Sequence, residues 1–275
     1  MPEGDTVWLA AKRMDLALAG RVLTYSDFRV PSLATVDLSG RSVREVVSRG
    51  KHLLTRLDGE LTLHTHFRMD GTWRLHRIGV RRRGGAAHEI RVILRNEEWE
   101  AVGYRLPVVD LLETRHESRV VGHLGPDLLG PDWDAAVAVE RLAAAPGRAI
   151  GEALLDQRNL AGIGNLYKAE VLFLSGLTPW TDVGEVADVP RLVERARRLM
   201  LANRDHDAQS TTGNLRRGTE HWVFERSGLG CRRCGTRIRQ AMQGSPPYSR
   251  VCYWCPSCQT GPAPAGSKAR ASRSA

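Results

Sequence analysis

The first four residues, Met1-Pro2-Glu3-Gly4, combine groups that can do covalent chemistry. Initiator methionine is normally trimmed before a small residue, and trimming here leaves the secondary amine of Pro2 at the chain start. An α-amino group has a pKa of about 7.7–8.0, so a usable fraction is unprotonated at neutral pH. Such an amine attacks carbonyl-like carbons, and a secondary amine gives a cationic iminium that draws in electrons. Glu3 is then a candidate general acid or base. The alternative is an ordinary frayed terminus.

Five cysteines near the other end include two C-x-x-C pairs, Cys231/Cys234 and Cys255/Cys258, with twenty residues between them. Two such pairs are typical of a tetrahedral zinc site. Disulfides are the alternative, but they are rare in a cytoplasmic protein. Four protein ligands leave no open coordination position, so the predicted zinc is structural. Cys252 also has C-x-x-C spacing with Cys255, and we interpret it as a spare.

Two further stretches are suited to phosphate. The turn Gly162-Ile163-Gly164-Asn165 lies between two helical segments, where backbone amides can approach an anion closely. An ordinary helix hairpin would have the same sequence features. The segment between the cysteine pairs is basic and aromatic, with Arg237, Arg239 and Arg250, and a zinc-held hairpin would direct one of these arginines at phosphate. The alternative is an arginine in water.

Three candidates fall in the first half of the chain. Lys51 follows Arg49-Gly50 between two strand-like runs and either reaches a cleft or lies at the surface. Met69 occupies a predicted turn, where it either wedges into a base stack or covers a core edge. His64 and His66 share one strand face, but no third metal ligand follows at a sensible spacing. We therefore predict packing or groove-lining roles for both histidines.

Composition favours a cytoplasmic protein that binds a polyanion. The chain has 275 residues, a net charge of +9 and 42% hydrophobic residues. Excess basic charge favours nucleic acid over other partners, although a solvated basic surface is the alternative. No apolar run is long enough for a membrane span. Acidic Glu3 and Asp5 stand where a signal peptide would be positive.

Hydrophobic periodicity predicts a β-rich part followed by a helical part. A helix over 6–19 is expected to be capped by Asp5 or Thr6 and to end at Gly20. Strand patterns without intervening helices predict a sandwich or barrel over 21–30, 42–57, 60–76, 88–96 and 99–112. After a linker at 120–130, helices are predicted over 132–144, 147–158, 165–175 and 188–203. We expect a loop at 205–222, order again at 223–259 and disorder at 261–275.

Together these motifs resemble those of the formamidopyrimidine-DNA glycosylase/endonuclease VIII family of DNA repair enzymes. The resemblance extends from residue 2 to about residue 259 with motifs in order and in register. It is carried by Met1–Gly4, Arg49–Lys51, Leu154–Gln157 with Leu160–Asn165, and Cys231–Gln259.

The resemblance implies an α+β multidomain fold. Its parts would be a β-sandwich catalytic domain with a leading helix (1–120), a helix–two-turn–helix domain (121–222), a zinc-ribbon hairpin (223–260) and a disordered basic tail (261–275). It also implies a monomer that binds damaged or abasic duplex DNA in the cleft, in the cytoplasm at the nucleoid.

The resemblance further implies a glycosylase with abasic-site lyase activity. Pro2 would attack C1′ of a damaged nucleotide, Glu3 would assist ring opening, and Lys51 would lie near the sugar and its phosphate. Asn165 and Arg250 would clamp phosphates, and Met69 would fill the void left by the flipped base. The strand would break by β- and δ-elimination.

Departures from the family pattern concern the acidic start and the void-filling residues. Asp5 and Thr6 replace a Pro-Glu pair that many members carry, and no match to the family's void-filling Arg and Phe is found around 103–109. The Met-Pro-Glu-Gly start and the ribbon sequence around Cys255 are similar to the endonuclease VIII branch, which implies oxidised pyrimidines and abasic sites as substrates. The alternatives are a purine-specific enzyme of the same family and a non-catalytic zinc-dependent sensor of DNA damage.

Overall fold

The computed structural model describes residues 2–82, 84–246 and 249–264. The helices in these ranges are α1 (Gly4–Leu18), α2 (Ser118–Val121), α3 (Ala135–Ala143), α4 (Ile150–Leu155), α5 (Asn165–Ser175) and α6 (Val189–Asn203). The strands are β1 (Tyr25–Phe28), β2 (Val43–Arg49), β3 (His52–Leu57), β4 (Leu61–His66), β5 (Thr72–Arg77), β6 (Ile90–Arg95), β7 (Trp99–Tyr104), β8 (Val108–Glu113), β9 (Arg239–Gln243) and β10 (Arg250–Trp254).

Strands β1–β8 form two antiparallel four-stranded sheets, in the orders β1-β6-β7-β5 and β2-β3-β4-β8. Buried aliphatic side chains from both sheets, such as Leu53, Leu63 and Val92, join one apolar core with Val7 and Met14 of α1. Alternation of apolar and polar residues places one face of each sheet in this core. The N-terminal part is thus a β-sandwich with a leading helix, which confirms the predicted fold class.

Helix α1 begins earlier than the sequence predicted. Glu3 occupies the N-cap position and the helix starts at Gly4, so the prediction that Asp5 or Thr6 caps the helix is wrong. Asp5 lies inside the first turn because its carboxylate is held by groups outside the helix, described below. At the other end Gly20 has φ +74°, the left-handed conformation expected just after a helix.

Several predicted strand segments contain hairpins. The segment 42–57 is divided into β2 and β3 by the two-residue turn Gly50-Lys51, and 60–76 is divided into β4 and β5. Both turns fall where the sequence indicated a break, with Lys51 between two strand-like runs and Met69 in a predicted turn. Arg68, in the β4–β5 turn, has φ +47°. The sequence does not predict this left-handed conformation, because Arg68 is neither glycine nor asparagine. The hairpin tips matter because they carry Lys51 and Met69 to the edge of the sandwich.

The helical part has its own apolar core, built from α3–α6 around Tyr167 and Phe173. Helices α5 and α6 match the predicted bounds closely, and α3 and α4 are shorter than predicted. The predicted linker over 120–130 begins within α2, which spans Ser118–Val121. Within the described residues no helix is long and apolar enough to cross a lipid bilayer.

The loop between α6 and β9 is tied to the helical core by a buried carboxylate. Glu170 of α5 accepts hydrogen bonds from the amides of Trp222, Val223 and Phe224 at 2.7–2.8 Å, and from the Thr211 hydroxyl. This explains how a polar segment keeps one path without secondary structure of its own. The predicted disordered tail falls mostly at 265–275, which lies outside the described residues.

Candidate active site

The N-terminus is fixed to the glycine turn that precedes α5. Glu3 is fully buried, and its carboxylate accepts hydrogen bonds from the amides of Gly164 at 2.6 Å and Leu166 at 2.7 Å. The amide of Gly4 donates to the carbonyl oxygen of Gly162 at 2.9 Å. Free amides at a helix start are natural partners for a carboxylate. Pro2, one residue earlier, is therefore held at a defined place.

Glycine is required at this junction because the two segments nearly touch. A Cβ on Gly164 would lie 2.5 Å from Cδ of Glu3, and a Cβ on Gly4 would lie 2.9 Å from Cα of Gly162. Gly162 itself has φ +102°, which disfavours any side chain. Gln157 holds the turn from below, since its side chain accepts from the Gly162 amide and donates to the Ile163 carbonyl.

Burial raises the pKa of Glu3 to about 7. The nearby charge of Asp5 raises that pKa further, whereas the Lys51 ammonium and the two amide hydrogen bonds lower it. A carboxyl group that titrates near neutrality can donate and accept protons at physiological pH. Glu3 therefore has the properties of a general acid or base.

A second buried acid, Asp5, anchors the start of α1 near Glu3. Asp5 is buried and accepts hydrogen bonds from the Tyr167 hydroxyl at 2.6 Å and from Nε2 of Gln209 at 2.9 Å. These bonds join α1, α5 and the α6–β9 loop. Asp5 therefore supplies a buried carboxylate at the chain start even though the family's Pro-Glu pair is missing.

The β2–β3 hairpin reaches the same turn from the other side. Asp127 accepts a 2.7 Å hydrogen bond from the amide of Gly50, and a Cβ on Gly50 would lie 3.1 Å from that of Ala161. Arg49 pairs with Asp132 at 2.9 Å. The tip residue Lys51 is thereby fixed beside Glu3, and burial lowers the pKa of its ammonium.

These groups meet at a cleft of about 1010 Å³ between the sandwich and the helical part. Residues with basic or polar side chains dominate its walls. Its lining includes Pro2, Lys51, His52, His64, His66, Arg68, Met69, His123, Arg148, Gln157, Arg158, Asn165 and Arg250. A smaller groove of about 710 Å³ between α1 and β5 contains none of the predicted site residues.

The far wall of the cleft is formed by the turn and the β9–β10 hairpin. Asn165 is buried at the first position of α5, donates from Nδ2 to the Val251 carbonyl at 2.9 Å, and leaves its Oδ1 without a protein hydrogen bond. Arg250, exposed on β10, also lines the cleft. Behind them the buried Lys168 donates to Sγ of Cys252 at 3.0 Å. The two predicted phosphate-binding residues are thus neighbours on one wall.

Met69 lies at the β4–β5 turn with 60% of its surface exposed, and it faces the cleft from the sandwich side. Arg105, in the β7–β8 connection, donates to the carbonyl oxygen of Asp70 in the same turn at 3.2 Å. With this exposure Met69 does not cover a core edge, which was the alternative to a wedge.

Four cysteines form the cluster that the spacing predicted. The Sγ atoms of Cys231, Cys234, Cys255 and Cys258 all lie within 4.8 Å of one another, with Cys231–Cys258 at 3.9 Å and Cys234–Cys255 at 3.5 Å. Zn–S bonds of about 2.3 Å in a tetrahedron require S–S distances of roughly 3.8 Å. These separations fit a metal and are far too long for disulfides. Cys252 lies outside the cluster.

Family models match most of the chain. The model of the formamidopyrimidine-DNA glycosylase N-terminal domain matches residues 1–116, and that of the formamidopyrimidine-DNA glycosylase H2TH domain matches residues 124–211. The chain belongs to the formamidopyrimidine-DNA glycosylase/endonuclease VIII family. The resemblance inferred from the short motifs is confirmed.

Relatives place the chain in the endonuclease VIII-like branch. It is 60% identical over 266 residues to a probable endonuclease 8 2 of Streptomyces coelicolor, covering 96% of each chain. It is 46% identical to the DNA-(apurinic or apyrimidinic site) lyase Nei2 of Mycolicibacterium smegmatis, covering 94% of this chain and 99% of the relative. It is 33% identical to an endonuclease 8 of Klebsiella pneumoniae, covering 94% and 100%.

Solved structures of the family share the fold. MutM in complex with DNA containing carbocyclic 8-oxo-G has a TM-score of 0.77 at 22% identity, covering 94% of this chain and all of that one. A Lactococcus lactis formamidopyrimidine-DNA glycosylase bound to abasic-site DNA has a TM-score of 0.77 at 20% identity, with the same coverage. At this identity the likeness establishes the sandwich and the helical part.

Neither the sequence motifs nor the family resemblance predicted two features of the site, the anchor Asp127 and the additional histidines of the cleft. Asp127, which anchors the Lys51 hairpin, carries no local signal because it acts through a backbone amide 77 residues away. His52 and His123 line the cleft with His64 and His66. His52 stands directly after Lys51, and this adjacency was the signal that could have found it.

Proposed function

We propose that this protein is a bifunctional DNA glycosylase/abasic-site lyase that removes oxidised bases, chiefly pyrimidines, and cuts the strand by β- and δ-elimination. The observation that carries the proposal is the clamp on Glu3. Two amides of the glycine turn hold its buried carboxylate, and this places Pro2 at the cleft that also contains Lys51. Relatives named endonuclease 8 and abasic-site lyase support the same reaction.

The chemistry starts once Met1 is removed. The Pro2 nitrogen attacks C1′ of the damaged nucleotide, and the base leaves. Glu3, with a pKa of about 7, is protonated for much of the time at neutral pH and gives a proton to the ring oxygen O4′ as the sugar opens. The product is an iminium between Pro2 and C1′. Lys51 contributes positive charge near the sugar and its phosphate.

Elimination follows from the iminium. Its positive nitrogen makes the C2′ proton acidic, so loss of that proton allows the C3′–O bond to break and the 3′ phosphate to leave. A second proton loss then expels the 5′ phosphate. The enzyme's role in these steps is to hold the sugar against Pro2 and to supply groups that move protons.

DNA must present the nucleotide outside the helix, because a duplex hides both C1′ and the base. We assign phosphate binding to Asn165 and Arg250 on one wall, where one N–H of the Asn165 Nδ2 is fixed on the Val251 carbonyl and the second N–H is the donor for a phosphate oxygen. We assign Met69, exposed on the opposite wall, to the space left by the flipped base. Phosphate contacts on one wall and a wedge on the other together offset the cost of flipping, about a few kcal/mol.

The cysteine cluster is assigned to structural Zn²⁺. Cys231, Cys234, Cys255 and Cys258 supply four thiolates and leave no coordination position for substrate. Bound zinc would hold the β9–β10 hairpin, which carries Arg250, without entering the reaction. Action as a monomer at the nucleoid is part of the same proposal.

A duplex with one defined lesion tests the proposal. Labelled DNA carrying either an abasic site, an oxidised pyrimidine or 8-oxoguanine is incubated with the enzyme, and the strand ends are resolved by electrophoresis. We expect cleavage with β- and δ-elimination ends at the abasic site and faster cleavage at the pyrimidine lesion than at 8-oxoguanine. The opposite lesion preference would assign the protein to purine repair. Binding without cleavage at any lesion would identify a damage sensor.

A further inference from the structure

Three side chains form a hydrogen-bonded chain that ends in the cleft. Asp110 of β8 contacts Nδ1 of His64 at 3.3 Å, and Nε2 of His64 contacts Nδ1 of His52 at 2.8 Å. Strand register fixes the first contact, because His64 and Asp110 are directly opposite each other on β4 and β8. The outer end, Asp110, is 54% exposed, whereas His64 is 4% exposed. The inner end, His52, lines the cleft beside Lys51.

The direction of the hydrogen bonds follows from the chemistry of the groups. A carboxylate can only accept, so Nδ1 of His64 carries the proton and Nε2 of the same neutral ring has a lone pair. Nδ1 of His52 must then be the donor of the second bond. The remaining nitrogen of His52, Nε2, is left with an unshared electron pair, and it belongs to a ring that lines the cleft. His52 is thus a base whose proton can be passed outward.

The surroundings keep His52 neutral. Burial, followed by the charges of His66, His64, His123 and Lys51, lowers its pKa to about 3. Facing groups act on the neighbouring rings as well: Lys51 and Arg68 on His66, and Asp110 and Glu117 on His64. An isolated imidazole with this environment would be a weak base. If His52 passes its Nδ1 proton to His64 when Nε2 takes up a proton, and His64 passes its own Nδ1 proton to Asp110, His52 stays neutral. No second positive charge then has to be held beside Lys51.

We propose that His52 accepts the C2′ proton during β-elimination and that His64 and Asp110 pass the resulting positive charge out of the cleft. The proposal rests on the lyase reaction proposed above. As the C2′–H bond breaks, its electron pair forms C1′=C2′ and the iminium pair returns to the Pro2 nitrogen. The proton binds Nε2 of His52, the Nδ1 proton of His52 moves to His64, and that of His64 moves to Asp110. The enamine then expels the 3′ phosphate as the C3′–O bond breaks.

Other groups at the site are less suited to this proton. Lys51 is assigned to positive charge near the sugar and its phosphate, and Glu3, held by the amides of Gly164 and Leu166, is assigned to the proton that opens the sugar ring. Asp110 is not part of the cleft lining, so it can release a proton to water without contacting DNA. The relay therefore separates proton removal from the groups that open the sugar.

The test separates iminium formation from elimination. Single-turnover reactions on a preformed abasic site are stopped either with borohydride, which traps the iminium, or with acid, which reports strand cleavage. The variants are His52→Ala, His52→Gln and Asp110→Asn. The glutamine of His52→Gln keeps a hydrogen-bond donor to His64 but cannot take a proton. The matched control is His88→Ala, because His88 is exposed outside the cleft.

We expect each His52 variant to trap as much iminium as wild type while eliminating about 100-fold more slowly or worse, in line with general base catalysis. Added imidazole should restore much of the His52→Ala rate and none of the His52→Gln rate, which a structural defect would not reproduce. Asp110→Asn should give a smaller loss. Unchanged elimination in His52→Ala, or trapping lost together with DNA binding, overturns the relay. Absence of trapping in wild type would instead refute the lyase function itself.

Discussion

Oε2 of Glu3 lies 2.6 Å from the amide nitrogen of Gly164, across 161 positions of sequence. This hydrogen bond joins the first turn of the chain to the start of α5, and it is shielded from water. It fixes the N-terminal amine at the junction of the sandwich and the helical part. The site therefore depends on docking of the two parts and cannot be assembled by either alone.

Glu3 makes the stability of the fold depend on pH. Its pKa is raised from 4.5 to about 7, so the folded state holds a proton that the unfolded state releases. The free energy of unfolding therefore falls as pH rises from about 4.5 to about 7. Glu3→Gln should remove that slope, which amounts to at most about 3 kcal/mol. Urea titrations at several pH values measure it; parallel pH dependence in both proteins would show that Glu3 titrates normally.

The close approach at Gly164 should be intolerant of a methyl group. Gly164→Ala would bring a Cβ to 2.5 Å from the Glu3 carboxyl carbon, so the N-terminus must shift. We expect a loss of about 1–3 kcal/mol in stability and at least about a tenfold loss in abasic-site cleavage. Gly147→Ala is the control, because its Cβ would meet nothing within 4 Å. Equal cleavage by both variants would argue against the clamp.

Zinc content should depend on four of the five cysteines. Cys255→Ser should abolish stoichiometric zinc, because it removes one of four clustered thiolates. Cys252→Ser should retain one zinc per chain, since Cys252 contacts Lys168 outside the cluster. Metal analysis of the purified variants checks this. Zinc loss in Cys252→Ser would mean that the ligand set includes Cys252.

Arg250 should contribute through phosphate. Removing a phosphate contact weakens binding for all sequences and lowers the salt slope of log K by about 1. We expect this for Arg250→Ala and not for Arg115→Ala, whose side chain is 74% exposed, pairs with Glu113 and is absent from the cleft lining. Affinity for abasic duplex across a salt series gives the slope. An unchanged slope in Arg250→Ala would place its role elsewhere.

How much the sequence revealed varied with the range of the interactions. Periodicity located α6 closely, because its apolar face is a local pattern, and the glycine turn before Asn165 indicated where α5 starts. The C-x-x-C spacing likewise predicted the cysteine cluster. In contrast, the start of α1 was set by tertiary contacts of Asp5 rather than by capping preference.

The least predictable features were single long-range hydrogen bonds. Asp127 holds the Gly50 amide, and Gln209 reaches Asp5, yet neither residue stands in a motif. The sequence did not predict the histidine chain either, because its members His52, His64 and Asp110 lie on three different strands, β3, β4 and β8. His52 contacts His64 across the neighbouring strands β3 and β4, and this contact depends on a strand register that the sequence spacing does not reveal.

The most direct measurement is borohydride trapping on duplex DNA with one abasic site, followed by mapping of the attached residue. The protein with Met1 removed is compared with Pro2→Gly and with a form that retains Met1. The account predicts a covalent adduct at Pro2 in wild type, a primary-amine adduct of lower yield for Pro2→Gly, and none when Met1 blocks the amine. An adduct that maps to Lys51, or no adduct while DNA binding is intact, would contradict the account.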